Sequence, residues 1–174
     1  MSRTIRFTAL VLVLFAMVPA GVSGLCVEVG KPIRDVTLPT IDGQNATLSS
    51  FRGKIVLLAF WASWCPRCVE ELTFLQGIYK MSPDIAVLAI NQESQNISNA
   101  HLERIRNTLK ESKIDFPVLV DRNLDAWNTY CINALPTSII VDPKGMVRFA
   151  EPNYYWATQD KIAEVISEIR KEKN

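Results

Sequence analysis

Apolar residues fall into three kinds of run along this chain, and each predicts a different element. Ile55-Val56-Leu57-Leu58-Ala59-Phe60-Trp61 is apolar without a break, which predicts a strand buried on both faces in the middle of a sheet. Ile85 to Ile90 and Phe116 to Val120 repeat that pattern. Between Pro66 and Tyr79 the apolar positions recur at helical spacing instead, with Val69, Leu72, Leu75 and Tyr79 on one stripe. Pro66 suits the first turn of that helix, where its missing N–H is no loss. Ser98 to Lys113 reads the same way, presenting Leu102, Ile105 and Leu109 inward. Thr158 is placed to cap a last helix buried through Ile162, Val165, Ile166 and Ile169. Asp125 to Tyr130 reads as a short helical piece. Two turn signatures mark hairpins: Asp42-Gly43 between Val36-Thr37-Leu38 and Ala46-Thr47-Leu48, and Asp142-Pro143-Lys144-Gly145 between Ser138–Val141 and Met146–Phe149. Together these predict an α/β three-layer sandwich, a central mixed sheet with helices on both faces and an N-terminal hairpin.

The first 24 residues stand outside that pattern. Arg3 and Arg6 precede the unbroken apolar run Ala9 to Val18, and Pro19-Ala20-Gly21 and Val22-Ser23-Gly24 follow with breakers and small residues. This is the layout of a secretory signal peptide cleaved after Gly24, leaving one domain over 25–174; left uncleaved, it would act as a membrane anchor. Lipoprotein processing at Cys26 is excluded because Leu25 stands where a small residue is needed. The expected location is periplasmic or otherwise extracytoplasmic. Without the leader the 19 basic side chains lose two and face 18 acidic ones, a net charge of −1. That leaves no electrostatic case for nucleic acid or an anionic membrane as partner. The mixed charges of Arg170-Lys171-Glu172-Lys173 suit a solvated helix end.

The chemistry concentrates in Phe60-Trp61-Ala62-Ser63-Trp64-Cys65-Pro66-Arg67-Cys68. Two cysteines separated by two residues, leaving a strand and opening a helix, can close a disulfide across one turn. The helix amides and dipole favour negative charge, so Cys65 is expected to be the low-pKa attacking thiol. Cys68, one turn inside, is expected to resolve the mixed disulfide. A structural disulfide or half of a zinc site are the competing readings. Zinc needs four ligands, and only Cys26, Cys131 and His101 remain, at no regular spacing; no metal and no cofactor beyond the cysteine pair is expected. His101 reads as a surface residue, and Trp61 and Trp64 as packing and rim residues of the cysteine site. Asn45-Ala46-Thr47 and Asn96-Ile97-Ser98 fit the glycosylation pattern.

These residues resemble the thioredoxin superfamily, and within it the TlpA/ResA/DsbE-like extracytoplasmic oxidoreductases. The resemblance covers about Val36 to Ile169, and is carried by Phe60 to Cys65, the pair to Cys68, and Leu135-Pro136-Thr137 ahead of Ile139-Ile140-Val141-Asp142. Asn91 to Asp115 is similar to the group's central helical insertion. The resemblance implies a cis Leu135-Pro136 facing the cysteines, with the Leu135 backbone free to pair with substrate beside Trp64 and Pro66. It implies a proton-transfer role for Glu71, three residues after Cys68; Ala59 stands where thioredoxin keeps a buried aspartate. Glu70 reads as a first-turn glutamate favoured by the dipole. The implied activity is disulfide exchange with exported proteins by a monomer, as a reductase fed by a membrane thiol relay and often serving cytochrome c maturation. Arg67 departs from the usual pattern: a cation beside the thiolate favours the reduced pair, and so a disulfide donor. The rivals are a peroxidase of the peroxiredoxin kind, which expects a threonine where Ser63 and Trp64 stand, and a copper- or metal-binding module. Some TlpA-like proteins carry an additional structural disulfide, so Cys26 and Cys131 are either bridged, pinning the N-terminal segment near Leu135-Pro136, or two separate thiols.

Overall fold

The computed structural model describes residues 25–93 and 97–173. The predicted leader (1–24) and Asn96 of the second glycosylation pattern lie outside them. The elements are β1 (Thr37–Pro39), β2 (Asn45–Thr47), a 3-10 turn (Leu48–Phe51), β3 (Ile55–Trp61), α1 (Pro66–Met81), β4 (Ile85–Asn91), α2 (Asn99–Glu111), β5 (Val118–Val120), α3 (Asp125–Thr129), β6 (Thr137–Val141), β7 (Val147–Pro152) and α4 (Trp156–Lys173). Five strands form one sheet in the order β5-β4-β3-β6-β7. β3 runs parallel to β4 and antiparallel to β6, so the sheet is mixed.

The apolar run of β3 is explained by its two faces. Ile55, Leu57, Ala59 and Trp61 pack with Leu72 and Leu75 of α1, Ile105 of α2 and Ile162, Ile166 and Ile169 of α4. The alternate residues Val56, Leu58 and Phe60 pack with Leu38 and Leu48 of the N-terminal region and with Ala126 of α3 and Tyr130. Side chains alternate across a strand, so a strand covered on both sides has no solvent-facing position.

The N-terminal region also pairs with part of both sheet edges. The β1–β2 hairpin abuts β5, with the Ile41 N–H donating to the Val118 carbonyl at 2.9 Å. At the far edge Gly30 donates to Val147 at 2.8 Å, and Val147 to Lys31 at 2.9 Å. Unpaired edges are templates for adventitious pairing, and here the chain's own backbone takes up Val118 on one edge and Val147 at the start of the other.

Two local expectations need correction, and a third gains a role. Thr158 is not the cap of α4 but its third residue; its hydroxyl accepts the N–H of Tyr155 at 3.1 Å, the reach-back half of a capping box. On α1 the buried stripe is Cys68, Glu71, Leu72, Leu75 and Gln76, while Val69 is only half-buried. Two polar residues therefore occupy the core face, and Gln76 is satisfied there by the Asp115 N–H and carboxylate. His101 does more than decorate the surface, because it caps a helix. Its Nδ1 accepts the Ser98 N–H at 3.0 Å while Ser98 Oγ accepts its N–H, completing a capping box on α2.

Candidate active site

β3 delivers the chain to a tight turn, Ala62 to Cys65, closed by the Cys65 N–H donating to the Ala62 carbonyl at 3.1 Å. α1 begins at once: Pro66 is its first residue and Cys65 its N-cap, with Sγ accepting the Cys68 N–H at 3.3 Å. Cys65 and Cys68 are joined as a disulfide, their Cα atoms 5.3 Å apart. Cys65 keeps 8% of its surface exposed and Cys68 none, so only the first sulfur is open to solvent. Reduction would leave the first sulfur among helix N-terminal amides, where negative charge is favoured. Opening and closing this one bond moves two electrons without any other redox group.

One helical turn below, Glu71 is completely buried. The Ser138 hydroxyl donates to its Oε1, and its Oε2 has no hydrogen-bond partner. Ser138 lies directly opposite Ala59 in the β3–β6 register. A small residue on the central strand thus leaves room for a carboxylate that arrives from the helix. Burial pushes the Glu71 carboxyl up to about 7, with the Ser138 hydrogen bond pulling partly the other way. In the unfolded chain it would titrate near 4.5. The folded state therefore holds the extra proton, and the stability gained is present below pH 4.5 and lost as pH rises toward 7. The loss is about 3 kcal/mol across that window. Glu71→Gln should abolish this decline, which thermal unfolding at about pH 5 and about pH 8 would show; an equal drop in both proteins would contradict it.

Leu135-Pro136 is a cis peptide. β6 begins at Thr137, paired with Phe60, which sets Leu135-Pro136 beside the end of β3 where the cysteine turn departs. The Pro136 carbonyl accepts the Asn153 N–H at 2.7 Å, and Thr137 Oγ1 donates to the Ala134 carbonyl at 2.8 Å. Leu135 itself stands ahead of the β3–β6 ladder. Trp64 projects with 63% of its surface exposed, and Pro66 is exposed. Arg67 is turned toward the start of α4, its guanidinium carbon 5.3 Å from the centre of the Tyr155 ring.

The structure joins Cys26 to Cys131, Cα atoms 5.1 Å apart and 105 residues apart in sequence. The Cys26 N–H donates to the Tyr130 carbonyl at 3.1 Å, and the Tyr130 hydroxyl donates to the Arg34 carbonyl at 2.8 Å. Tyr130 in turn packs edge-on against Phe60 of the central strand. Among the described residues no cysteine is free, and no three His, Cys, Asp or Glu side chains gather into a metal-binding group. No described helix is long and apolar enough to cross a membrane. Asn45 is exposed on β2.

Sequence reasoning missed Ser138 and Glu93. Ser138 follows Thr137 as the second of two polar residues opening a strand that is otherwise apolar, a signal available in the sequence. Glu93 follows the buried strand β4, and nothing in its spacing announces that it folds back under Ser63.

A mixed sheet between helices, with a cysteine pair capping the helix after the central strand, defines the thioredoxin-fold thiol–disulfide oxidoreductases. The AhpC/TSA family model matches residues 29–150, and the chain belongs to that family. It is 28% identical over 155 residues to the thiol-disulfide oxidoreductase ResA of Geobacillus kaustophilus, covering 84% of this chain and 86% of that one. It is 32% identical over 126 residues to the thioredoxin-like protein YneN of Bacillus subtilis, covering 70% of each. A solved thiol-disulfide oxidoreductase from Bacteroides fragilis superposes with a TM-score of 0.64 at 28% identity, covering 78% of this chain and 99% of that one.

Proposed function

We propose that this protein is a ResA-type reductase of disulfides in exported proteins, the cysteines of apocytochrome c being one candidate substrate. Residues 1–24 direct export, and 25–174 form the working monomer outside the cytoplasm. The Cys65 thiolate attacks a substrate disulfide, forming a mixed disulfide and releasing one substrate thiolate. Glu71 takes the proton of Cys68, whose sulfur then attacks Cys65. The Cys65–Cys68 bond closes, the second substrate thiolate leaves, and two electrons have passed to the substrate. Leu135 offers backbone to the bound chain, with Trp64 and Pro66 as the rim. The Cys26–Cys131 bridge is structural, holding the N-terminal segment. A membrane thiol relay would restore the reduced pair.

The observation that carries the reductive direction is the position of Arg67. The case for a disulfide donor requires its charge beside the Cys65 thiolate. With the guanidinium over Tyr155, and a buried carboxylate one turn below Cys68, the surroundings of the pair favour a low reduction potential. Equilibration with glutathione and counting of alkylated thiols tests this. A potential near that of thioredoxin, about −270 mV, is expected; one near that of DsbA, about −120 mV, would reverse the direction.

A further inference from the structure

Glu93 lies two residues beyond the end of β4, its side chain only 1% exposed, and the exchange steps above make no use of it. Its carboxylate grips the turn that carries Cys65. Oε2 accepts the Ser63 N–H at 3.0 Å and Oε1 accepts the Ser63 hydroxyl at 2.5 Å. The Asn91 side-chain amide donates to Oε2 at 3.4 Å, and the guanidinium of Arg104 on α2 stands 3.4 Å from Oε1. Arg104 is itself largely exposed, so its charge is shared with solvent and offsets the buried carboxylate only in part. Ser63 is two residues from Cys65, which sets the anion within roughly 10 Å of the N-cap position. In a buried setting a like charge at that range opposes formation of a thiolate.

We propose that Glu93 is a positioning residue of the exchange reaction: it fixes the Ala62–Cys65 turn through Ser63, and its charge, trimmed by Arg104, restrains ionisation of Cys65. The proposal rests on reading Cys65 as the attacking thiol. The α1 N-terminus draws the sulfur toward the thiolate while Glu93 opposes it from the other side of the turn. A pair whose thiolate is held back stays reducing. Since Arg104 belongs to the inserted helix α2, the insertion has a direct electrostatic hold on the cysteine turn. The other charged or titratable groups near the pair are Arg67 and Glu70 on the outer side of α1, Glu71 on its buried side, and Tyr154 before α4, which interacts electrostatically with both glutamates.

The test uses two substitutions of opposite sign in the full-length protein. The rate of Cys65 alkylation by iodoacetamide is followed against pH in the reduced protein, and the pair is equilibrated with glutathione. Glu93→Gln keeps the shape and removes the charge. It should lower the alkylation midpoint by about one pH unit and, at a pH above both midpoints, shift the glutathione equilibrium about tenfold toward the reduced pair, roughly 30 mV. Arg104→Gln, on the surface, should move both readings the other way. A turn that was merely loosened would move the two variants in the same direction, so shifts of one sign, or none, overturn the proposal. The underlying reading fails separately, by exchange activity surviving in Cys65→Ser.

Discussion

Cys65→Ser is expected to lower disulfide exchange by at least about a thousandfold, since no other sulfur stands at the helix start to replace it. Cys68→Ser should behave differently: attack by Cys65 still occurs, but nothing resolves the product, so covalent enzyme–substrate species accumulate. The asymmetry follows from geometry. Cys65 caps α1 and keeps some exposure, while Cys68 has none, so a large substrate can reach only the first sulfur. The check is turnover with a disulfide-bonded protein substrate, followed by non-reducing electrophoresis. Trapped adducts in Cys65→Ser rather than in Cys68→Ser would exchange the two roles.

The second large effect concerns stability. Replacing Cys26 and Cys131 together by Ser removes a cross-link that closes a span of 105 residues. Loop-closure entropy for a span near 100 residues corresponds to about 4–5 kcal/mol. In a domain of this size each kcal/mol moves Tm by about 2–4 °C, so a fall of roughly 10 °C or more is expected. The local bonds reinforce that expectation: without the bridge, Cys26 to Tyr130 and Tyr130 to Arg34 would have to hold the N-terminal segment alone. Scanning calorimetry of both proteins, with Cys65–Cys68 oxidised, measures it. An unchanged Tm would mean that the segment is held by its packing and that the bridge adds little.

How much of this is legible in the sequence depends on the range of the interaction involved. The strands and helices are, because burial on both faces of β3 and β4 and on one face of α2 and α4 writes itself as periodicity. The cysteine pair is legible as well, being local: a strand, a turn and a helix start lie within one stretch of chain. Periodicity misplaces Val69 on α1 because two polar residues, Glu71 and Gln76, take core positions, and periodicity counts only apolar ones. The partners that bond them, Ser138 to one oxygen of Glu71 and Asp115 to Gln76, come from distant parts of the chain. Thr158 is misplaced because a threonine at the cap and one reaching back from the third position look alike without backbone angles. The orientation of Arg67 depends on Tyr155, far along the chain, so the dipeptide between the cysteines suggests a charge environment that the approach to α4 alters. The Glu93 clamp on Ser63 is of the same kind.

The partly covered edges of the sheet bear on how a client polypeptide would be read. A protein that offers a free strand edge binds extended peptides along many backbone bonds and distinguishes them by alternate side-chain pockets. Here the hairpin and the N-terminal segment pair with Val118 and Val147, and the backbone proposed to meet a client is the short step at Leu135. On the proposed function, clients would be selected by which cysteine can reach the sulfur more than by the sequence around it, and released once the covalent link is gone. On the same reading, a broad clientele is the expected result of a site that pairs with so little client backbone.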